Sequence, residues 1–113
     1  MNDCLFCLML AGDIPVDKVY DDDLVFAIRD INPRAPVHVL VIPKQHIPHV
    51  QHIGPEHGEV LTRMFHAANE VAKQEGVYES GYRCAFNVLG DSGMTIYHLH
   101  LHVVGGRKLG PEG

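Results

Sequence analysis

Three histidines occupy alternate positions in the apolar segment TIYHLHLHVV, residues 95–104. If this segment is a β-strand, His98, His100 and His102 share one face. A neutral imidazole nitrogen can attack phosphorus and form a covalent intermediate, provided that a fixed partner sets the tautomer of the ring. A hydrogen-bonded polar face is the simpler interpretation, but three histidines in alternation favour a catalytic site. The side chains that would face the core are Tyr97, Leu99, Leu101 and Val103.

The same spacing excludes one kind of metal site. At a rise of about 3.3 Å per residue, His98 and His102 lie about 13 Å apart. Zinc–nitrogen bonds are only about 2.1 Å long. These three histidines alone therefore cannot hold one ion.

A glycine-bearing turn, GDSGMT, residues 90–95, precedes the histidines directly. Its small residues allow backbone amides to approach an anion closely, and Thr95 adds a hydroxyl group. Most such turns only join two strands. Its position beside the histidines favours a phosphate-binding role.

Cys4 and Cys7 have the spacing of two thiolates on one tetrahedral zinc. A redox pair normally follows a strand, and only three residues precede Cys4, so that alternative is weak. Two reduced, packed thiols remain the other alternative. Among the nine histidines, His46 and His98 are our candidates for the remaining ligands. Cys84 lies among strand-like residues and is expected to be a buried thiol.

Two helices and five strands are predicted to position these groups. A short helix follows Asp3 and ends at Gly12, and a long amphipathic helix extends from Pro55 to Gly76. Strands before and after a long helix are typical of an α+β domain with a mostly antiparallel sheet. The strand candidates lie around Val19 and at residues 24–28, 37–42, 82–90 and 95–104.

Length and charge narrow the possible functions. The 113 residues fit a single domain, 1–113, and the net charge of −5 argues against binding nucleic acid through its phosphates. The apolar segment 5–11 is too short to span a bilayer, and no basic segment precedes it, so a cytoplasmic protein is expected. A chain this short buries about two thirds of its surface, which makes a dimer plausible.

Several segments together resemble the histidine triad family, and in particular its nucleotide-binding branch of purine nucleoside phosphoramidases. They are CLFC with GDIP, DINPRAPVHVLVIPKQHI, and NVLGDSGMTIYHLHLHVVGGR. The resemblance covers nearly the whole chain. It implies a homodimer with one continuous antiparallel sheet and a purine nucleotide pocket in each protomer. It also implies a hydrolase that splits a purine nucleoside monophosphate from an amine.

Two alternatives remain open beside that activity. One is cleavage of dinucleoside polyphosphates, which another branch of the family performs. The other is a nucleotide-binding or scaffold module without catalysis.

The resemblance also implies roles for individual residues. His100 would be the nucleophile, His102 would bond the phosphate and assist the leaving group, and His38 would support the triad. Asp30 would hold the ribose hydroxyls, and Ile31 would flank the base. The other nucleotide contacts implied are Asn87, Gly93, Met94, Thr95 and Phe6, the last of which could equally be a core residue.

Where family members keep the cysteine pair, the resemblance implies a structural zinc held by Cys4, Cys7, His46 and His98. Two departures affect the expected choice of leaving group. Met94 stands where the family often has glutamine, and the tail GGRKLGPEG lacks a tryptophan often found near the end.

Overall fold

One antiparallel sheet of five strands organises the fold, in the spatial order β1-β2-β3-β5-β4. The computed structural model describes residues 4–112. Helix α1 spans Leu5–Ala11 and helix α2 spans Gly58–Gln74. The predicted α+β architecture is therefore confirmed. The strands are β1 Lys18–Asp21, β2 Val25–Arg29, β3 Val37–Pro43, β4 Tyr82–Ala85 and β5 Leu101–Gly105.

The two faces of the sheet are covered differently. Because side chains alternate along a strand, Val39 and Val41 of β3 face α2, whereas Leu40 and Ile42 face the opposite side with Phe6 of α1. The long helix packs its apolar stripe on the first face. Its buried residues include Val60, Met64, Ala67, Ala68 and Val71.

Both helices form close to their predicted positions. A 3₁₀ turn, Pro55–His57, precedes α2, and Gly76 follows it in the left-handed conformation at φ 80°. Gly12 ends α1 in the same conformation, at φ 83°. The start of α1 follows Cys4, and Asp3, which the sequence places just before this helix, lies outside the described residues.

The histidine segment is shorter as a strand than predicted. β5 begins at Leu101, so His98 and His100 precede it. Val41 of β3 pairs with Leu101, and β3 ends two residues later at Pro43, which has no N–H to donate. The backbone N–H of Leu99 instead donates to the carbonyl of Ile47 at 2.6 Å.

Three further sequence predictions need correction. Leu99, Leu101 and Val103 are buried as expected, but Tyr97 is 45% exposed and does not face the core. Cys84 is exposed because it lies on β4, at an edge of the sheet. The strand predicted at 82–90 ends at Ala85.

No helix in the described part of the chain is long and apolar enough to cross a lipid bilayer.

Candidate functional site

A cavity of about 320 Å³ lies on the sheet face opposite α2. Its wall comes from α1, from the loop of residues 30–36 that joins β2 to β3, and from the segment before β5. All nine residues that the resemblance implies as nucleotide contacts line it. They are Phe6, Asp30, Ile31, Asn87, Gly93, Met94, Thr95, His100 and His102.

His100 presents a ring nitrogen that can act as a nucleophile. Its Nδ1 lies 2.7 Å from the backbone carbonyl of His98, so Nδ1 carries the proton and donates it. The Nε2 atom of a neutral ring then keeps its lone pair. Burial lowers the pKa of His100, which favours this neutral form.

His102 and His38 form a hydrogen-bonded pair beside His100. The backbone N–H of Arg34 donates to Nδ1 of His38 at 3.1 Å, so the proton of a neutral His38 is on Nε2. That Nε2 atom lies 2.9 Å from Nδ1 of His102 and donates to it. The proton of His102 is therefore on its Nε2 atom. The ring of His102 also lies 5.0 Å from that of His100, centroid to centroid.

Burial keeps both rings of this pair neutral. It lowers the pKa of His102 to about 4, with the nearby His100 and His38 rings adding to the effect. Burial also lowers the pKa of His38, and the Asp30 carboxylate offsets part of that change. Asp30 lies 3.5 Å from Nε2 of His38.

The turn before the histidines contributes side chains, while its amides are used internally. The N–H of Gly93 donates to the carbonyl of Gly90 at 3.0 Å, and that of Met94 donates to Leu89 at 3.4 Å. These two amides therefore bond within the turn itself. The hydroxyl of Thr95 and the buried side chain of Met94 do line the cavity.

Two residues at the cavity differ in their surroundings. Phe6 is buried and packs edge-on against His98 and His100, with ring centroids 5.6 and 5.3 Å away, so it serves as core and cavity wall together. Ile31 is 91% exposed at the cavity rim.

Some wall residues were not predicted. Leu5 and Met9 of α1 line the cavity, and Arg34 does so from the loop. The only sequence signal for Arg34 is its place between two prolines in NPRAP, which restricts the loop that carries it.

A second cluster consists of possible metal ligands and includes His98 of the triad. Cys4, Cys7, His46 and His98 each offer one metal-ligating atom, and these atoms lie within 4.8 Å of one another. Nδ1 of His98 is 3.0 Å from Nδ1 of His46 and 3.3 Å from the sulfur of Cys4. The sulfur of Cys7 is 3.3 Å from the same His46 nitrogen.

The donor set fits zinc. The other nitrogen of His98, Nε2, donates to the carbonyl of Pro43 at 2.8 Å, which leaves the Nδ1 lone pair directed at the cluster. Ligands on a tetrahedral zinc lie about 3.4 Å apart, close to the spacings seen. The ligand atom of His102 belongs to a separate group with Asp30 and His38, in agreement with the spacing argument.

Comparisons with known proteins show the family of this chain. The family model for the HIT domain matches residues 11–109. The chain is 46% identical over 110 residues to the purine nucleoside phosphoramidase of Escherichia coli K12, covering 97% of this chain and 92% of that protein. It is 42% identical over 108 residues to the 14 kDa zinc-binding protein of Zea mays, covering 93% of this chain and 83% of that protein.

The fold is similar to solved structures as well. A HIT family hydrolase from Legionella pneumophila superposes with a TM-score of 0.94 at 42% identity, covering 98% of this chain and 100% of that one. The fold and the site together define a histidine triad protein, and the chain belongs to the HIT family. Within that family it is a hydrolase.

Proposed function

We propose that this chain hydrolyses purine nucleoside phosphoramidates through a covalent nucleotidyl intermediate on His100. The observation that carries the proposal is the hydrogen bond from Nδ1 of His100 to the carbonyl of His98. It fixes the tautomer whose Nε2 lone pair is available beside a nucleotide-sized cavity. The phosphoramidase activity of the Escherichia coli relative supports the choice of substrate.

The reaction takes two displacements at phosphorus. A bond forms from Nε2 of His100 to phosphorus while the bond from phosphorus to the leaving nitrogen breaks, and the amine departs with a proton taken from solvent. Water then attacks the same phosphorus atom, the bond from phosphorus to Nε2 breaks, and the nucleoside monophosphate and the neutral His100 ring are released with one proton returned to solvent. The N–H of His102 would stabilise the charge on a phosphate oxygen in both steps.

The cavity also suits the remainder of a nucleotide. Its apolar wall, which includes Leu5, Met9 and Ile28, offers a surface for the flat face of a base. The carboxylate of Asp30 faces the same space and can accept hydrogen bonds from ribose hydroxyls. The side-chain amide of Asn87 lies 3.5 Å from Nε2 of His102, near the expected phosphate.

We further propose that Cys4, Cys7, His46 and His98 hold a structural zinc ion. Bound zinc would supply a fixed tetrahedral link between the start of α1 and the segment that carries the triad. The backbone carbonyl of His98 holds the nucleophile, so the position of the His98 ring matters for catalysis. A cytoplasmic location remains a prediction, in keeping with the two reduced thiols that this site needs.

Turnover of an adenosine phosphoramidate tests the activity. The parent protein should release adenosine monophosphate, and His100→Ala should lower kcat by at least about a thousandfold, because the nucleophile is removed. The dissociation constant of adenosine monophosphate, measured by calorimetry, should change by less than about fivefold.

The parallel assay uses a dinucleoside polyphosphate at the same concentration. Faster cleavage of that substrate would contradict the proposal and identify the protein as a dinucleoside polyphosphate hydrolase. Nucleotide binding without turnover of either substrate would identify a binding module. A wild-type rate in His100→Ala would show that another residue is the nucleophile.

A further inference from the structure

We propose that Arg107 is a positioning residue: it holds the backbone of Arg34, and thereby keeps the N–H of His102 directed into the cavity. The inference rests on the proposed function, because that N–H is the group a substrate phosphate would meet. Arg107 follows β5 and lies outside the cavity wall, so it does not contact the nucleotide.

The contact joins two distant parts of the chain. Nη2 of Arg107 donates to the backbone carbonyl of Arg34 at 2.9 Å. Arg34 belongs to the loop of residues 30–36, which supplies one wall of the cavity. The segment after β5 therefore braces the loop from the side away from the cavity.

A second contact holds the loop of residues 30–36 against the segment after β5. Gly106 adopts φ 96°, and a Cβ atom added there would lie 2.9 Å from Cβ of Pro36. The chain at Gly106 is thus packed directly on the end of the loop, as only glycine allows. Gly106 and Arg107 hold the loop at two neighbouring points.

The N–H of Arg34 bears on the position of the proton on His38, four residues further along the chain. The N–H of Arg34 donates to Nδ1 of His38, which forces the proton of neutral His38 onto Nε2. Nε2 of His38 then donates to Nδ1 of His102 at 2.9 Å. The proton of His102 is left on Nε2, and His102 lines the cavity.

The opposite tautomer would place a lone pair where the phosphate binds. If the N–H of Arg34 turned away, the proton of His38 could move to Nδ1. Nε2 of His38 would then accept a hydrogen bond from Nδ1–H of His102. The Nε2 lone pair of His102 would repel an anionic phosphate instead of stabilising it. The N–H of Arg34 therefore favours the productive pair, together with the Asp30 carboxylate 3.5 Å from Nε2 of His38.

The prolines of the loop do not remove this freedom. Pro33 and Pro36 fix their own φ angles, but neither can donate a hydrogen bond. Both backbone polar groups of Arg34 are engaged, the N–H by His38 and the carbonyl by Arg107. Loss of the Arg107 bond leaves the backbone of Arg34 able to rotate between Pro33, which precedes it directly, and Pro36, two residues further on.

The test reads the tautomers directly. Long-range ¹H–¹⁵N correlation spectra of the histidine rings, at about pH 7.5 where these rings are neutral, should show the proton of His38 and of His102 on Nε2 in the parent. Arg107→Ala should give averaged ring nitrogen shifts for both histidines. Arg107→Lys, which retains a donor, should restore the parent spectrum in part. Lys108→Ala is the matched control, because that neighbouring cation is exposed and does not line the cavity.

Kinetics provide a second readout. Arg107→Ala should lower kcat by about fivefold, which corresponds to the free energy of one exposed hydrogen bond. The same variant should change KM by less than about twofold. Gly106→Ala, which disturbs the packing of the same loop at another point, should change the ring spectra in the same direction. Unchanged spectra in both variants, or the same change in Lys108→Ala, would overturn the inference. Altered spectra in a protein whose parent form does not hydrolyse phosphoramidates would support the role of Arg107 and overturn the proposed function instead.

Discussion

Identical side chains in the triad present different atoms because each has a different fixed partner. His98 donates to the carbonyl of Pro43, and His100 donates to the carbonyl of His98. His102 accepts from His38. A neutral imidazole has one proton, so these contacts leave a lone pair on Nδ1 of His98, a lone pair on Nε2 of His100 and an N–H donor on His102, as the proposed roles of the three residues require.

This arrangement predicts a stability that depends on pH. Burial lowers the pKa of His102 from 6.5 to about 4. Between these two pH values the unfolded chain binds a proton at His102 that the folded chain does not bind. The free energy of unfolding therefore has its full value above about pH 6.5 and decreases as the pH falls toward 4. His102 alone accounts for about 3 kcal/mol of this loss. Denaturant unfolding between about pH 7.5 and 4, in chelator-treated protein, should show the decline.

Two variants separate His102 from general acid effects. His102→Gln should be less stable than the parent near neutral pH, but it should lose less stability on acidification. His66→Gln replaces an exposed histidine on α2 and should keep the parent dependence. If His102→Gln lost as much stability on acidification as the parent, another group would be the one that takes up the proton.

At the scale of elements, sequence patterns predicted what forms locally and missed what depends on a distant partner. The periodicity of α2 and the glycine after α1 were sufficient to place both helices. The histidine segment was predicted as one strand, but its first half leaves the ladder because β3 ends at Pro43. That proline is 55 residues away from His98, so no local pattern could show the effect.

For the site as well, sequence patterns missed a feature that depends on a distant partner, and helix α1 is the example. Its seven residues are too few for an independent helix, so its position depends on what it contacts. The cysteine spacing predicted a metal cluster, which the structure assembles with the two predicted histidines. It did not predict that α1 is also a cavity wall, because the covered face of so short a helix is decided by the sheet beneath it.

The thiols should therefore control both metal content and nucleotide affinity. Cys7→Ser should reduce zinc from about one equivalent per chain to below about a tenth, since one of four ligands is lost. The affinity for adenosine monophosphate should fall by about threefold to tenfold, because α1 is released from the segment that carries the triad. Elemental analysis and calorimetry on protein purified without chelator measure the two effects.

Cys84→Ser provides the matched control. Cys84 is exposed on β4 and lies outside the cluster, so this variant should keep both the zinc and the affinity of the parent. A parent protein with less than about a tenth of an equivalent of zinc would contradict the ligand set. Normal affinity in zinc-free Cys7→Ser would show that α1 holds its place without the metal.

The whole molecule leaves an edge of its sheet open beside an apolar surface. β4 is the last strand in the spatial order, and no further strand of the described chain pairs with its outer side. Phe65 of α2 and Phe86 after β4 pack edge-on at 6.2 Å beside this edge. Phe65 is 46% exposed, and Tyr78, whose ring lies 6.5 Å from that of Tyr82 on β4, is 44% exposed. An open edge strand with aromatic neighbours is a template for pairing with a second chain.

We propose that two copies pair through β4 and continue the sheet as a homodimer, as the family resemblance implies. The parent should have twice the chain mass of 12.6 kDa by light scattering after gel filtration. Phe65→Lys should shift the mass toward that of one chain, because a charge would be buried between the copies without a partner. Tyr97→Lys changes a residue of almost equal exposure, 45%, on the segment before the triad, and should leave the dimer intact. Dissociation by Tyr97→Lys, with Phe65→Lys still dimeric, would place the interface elsewhere on the molecule.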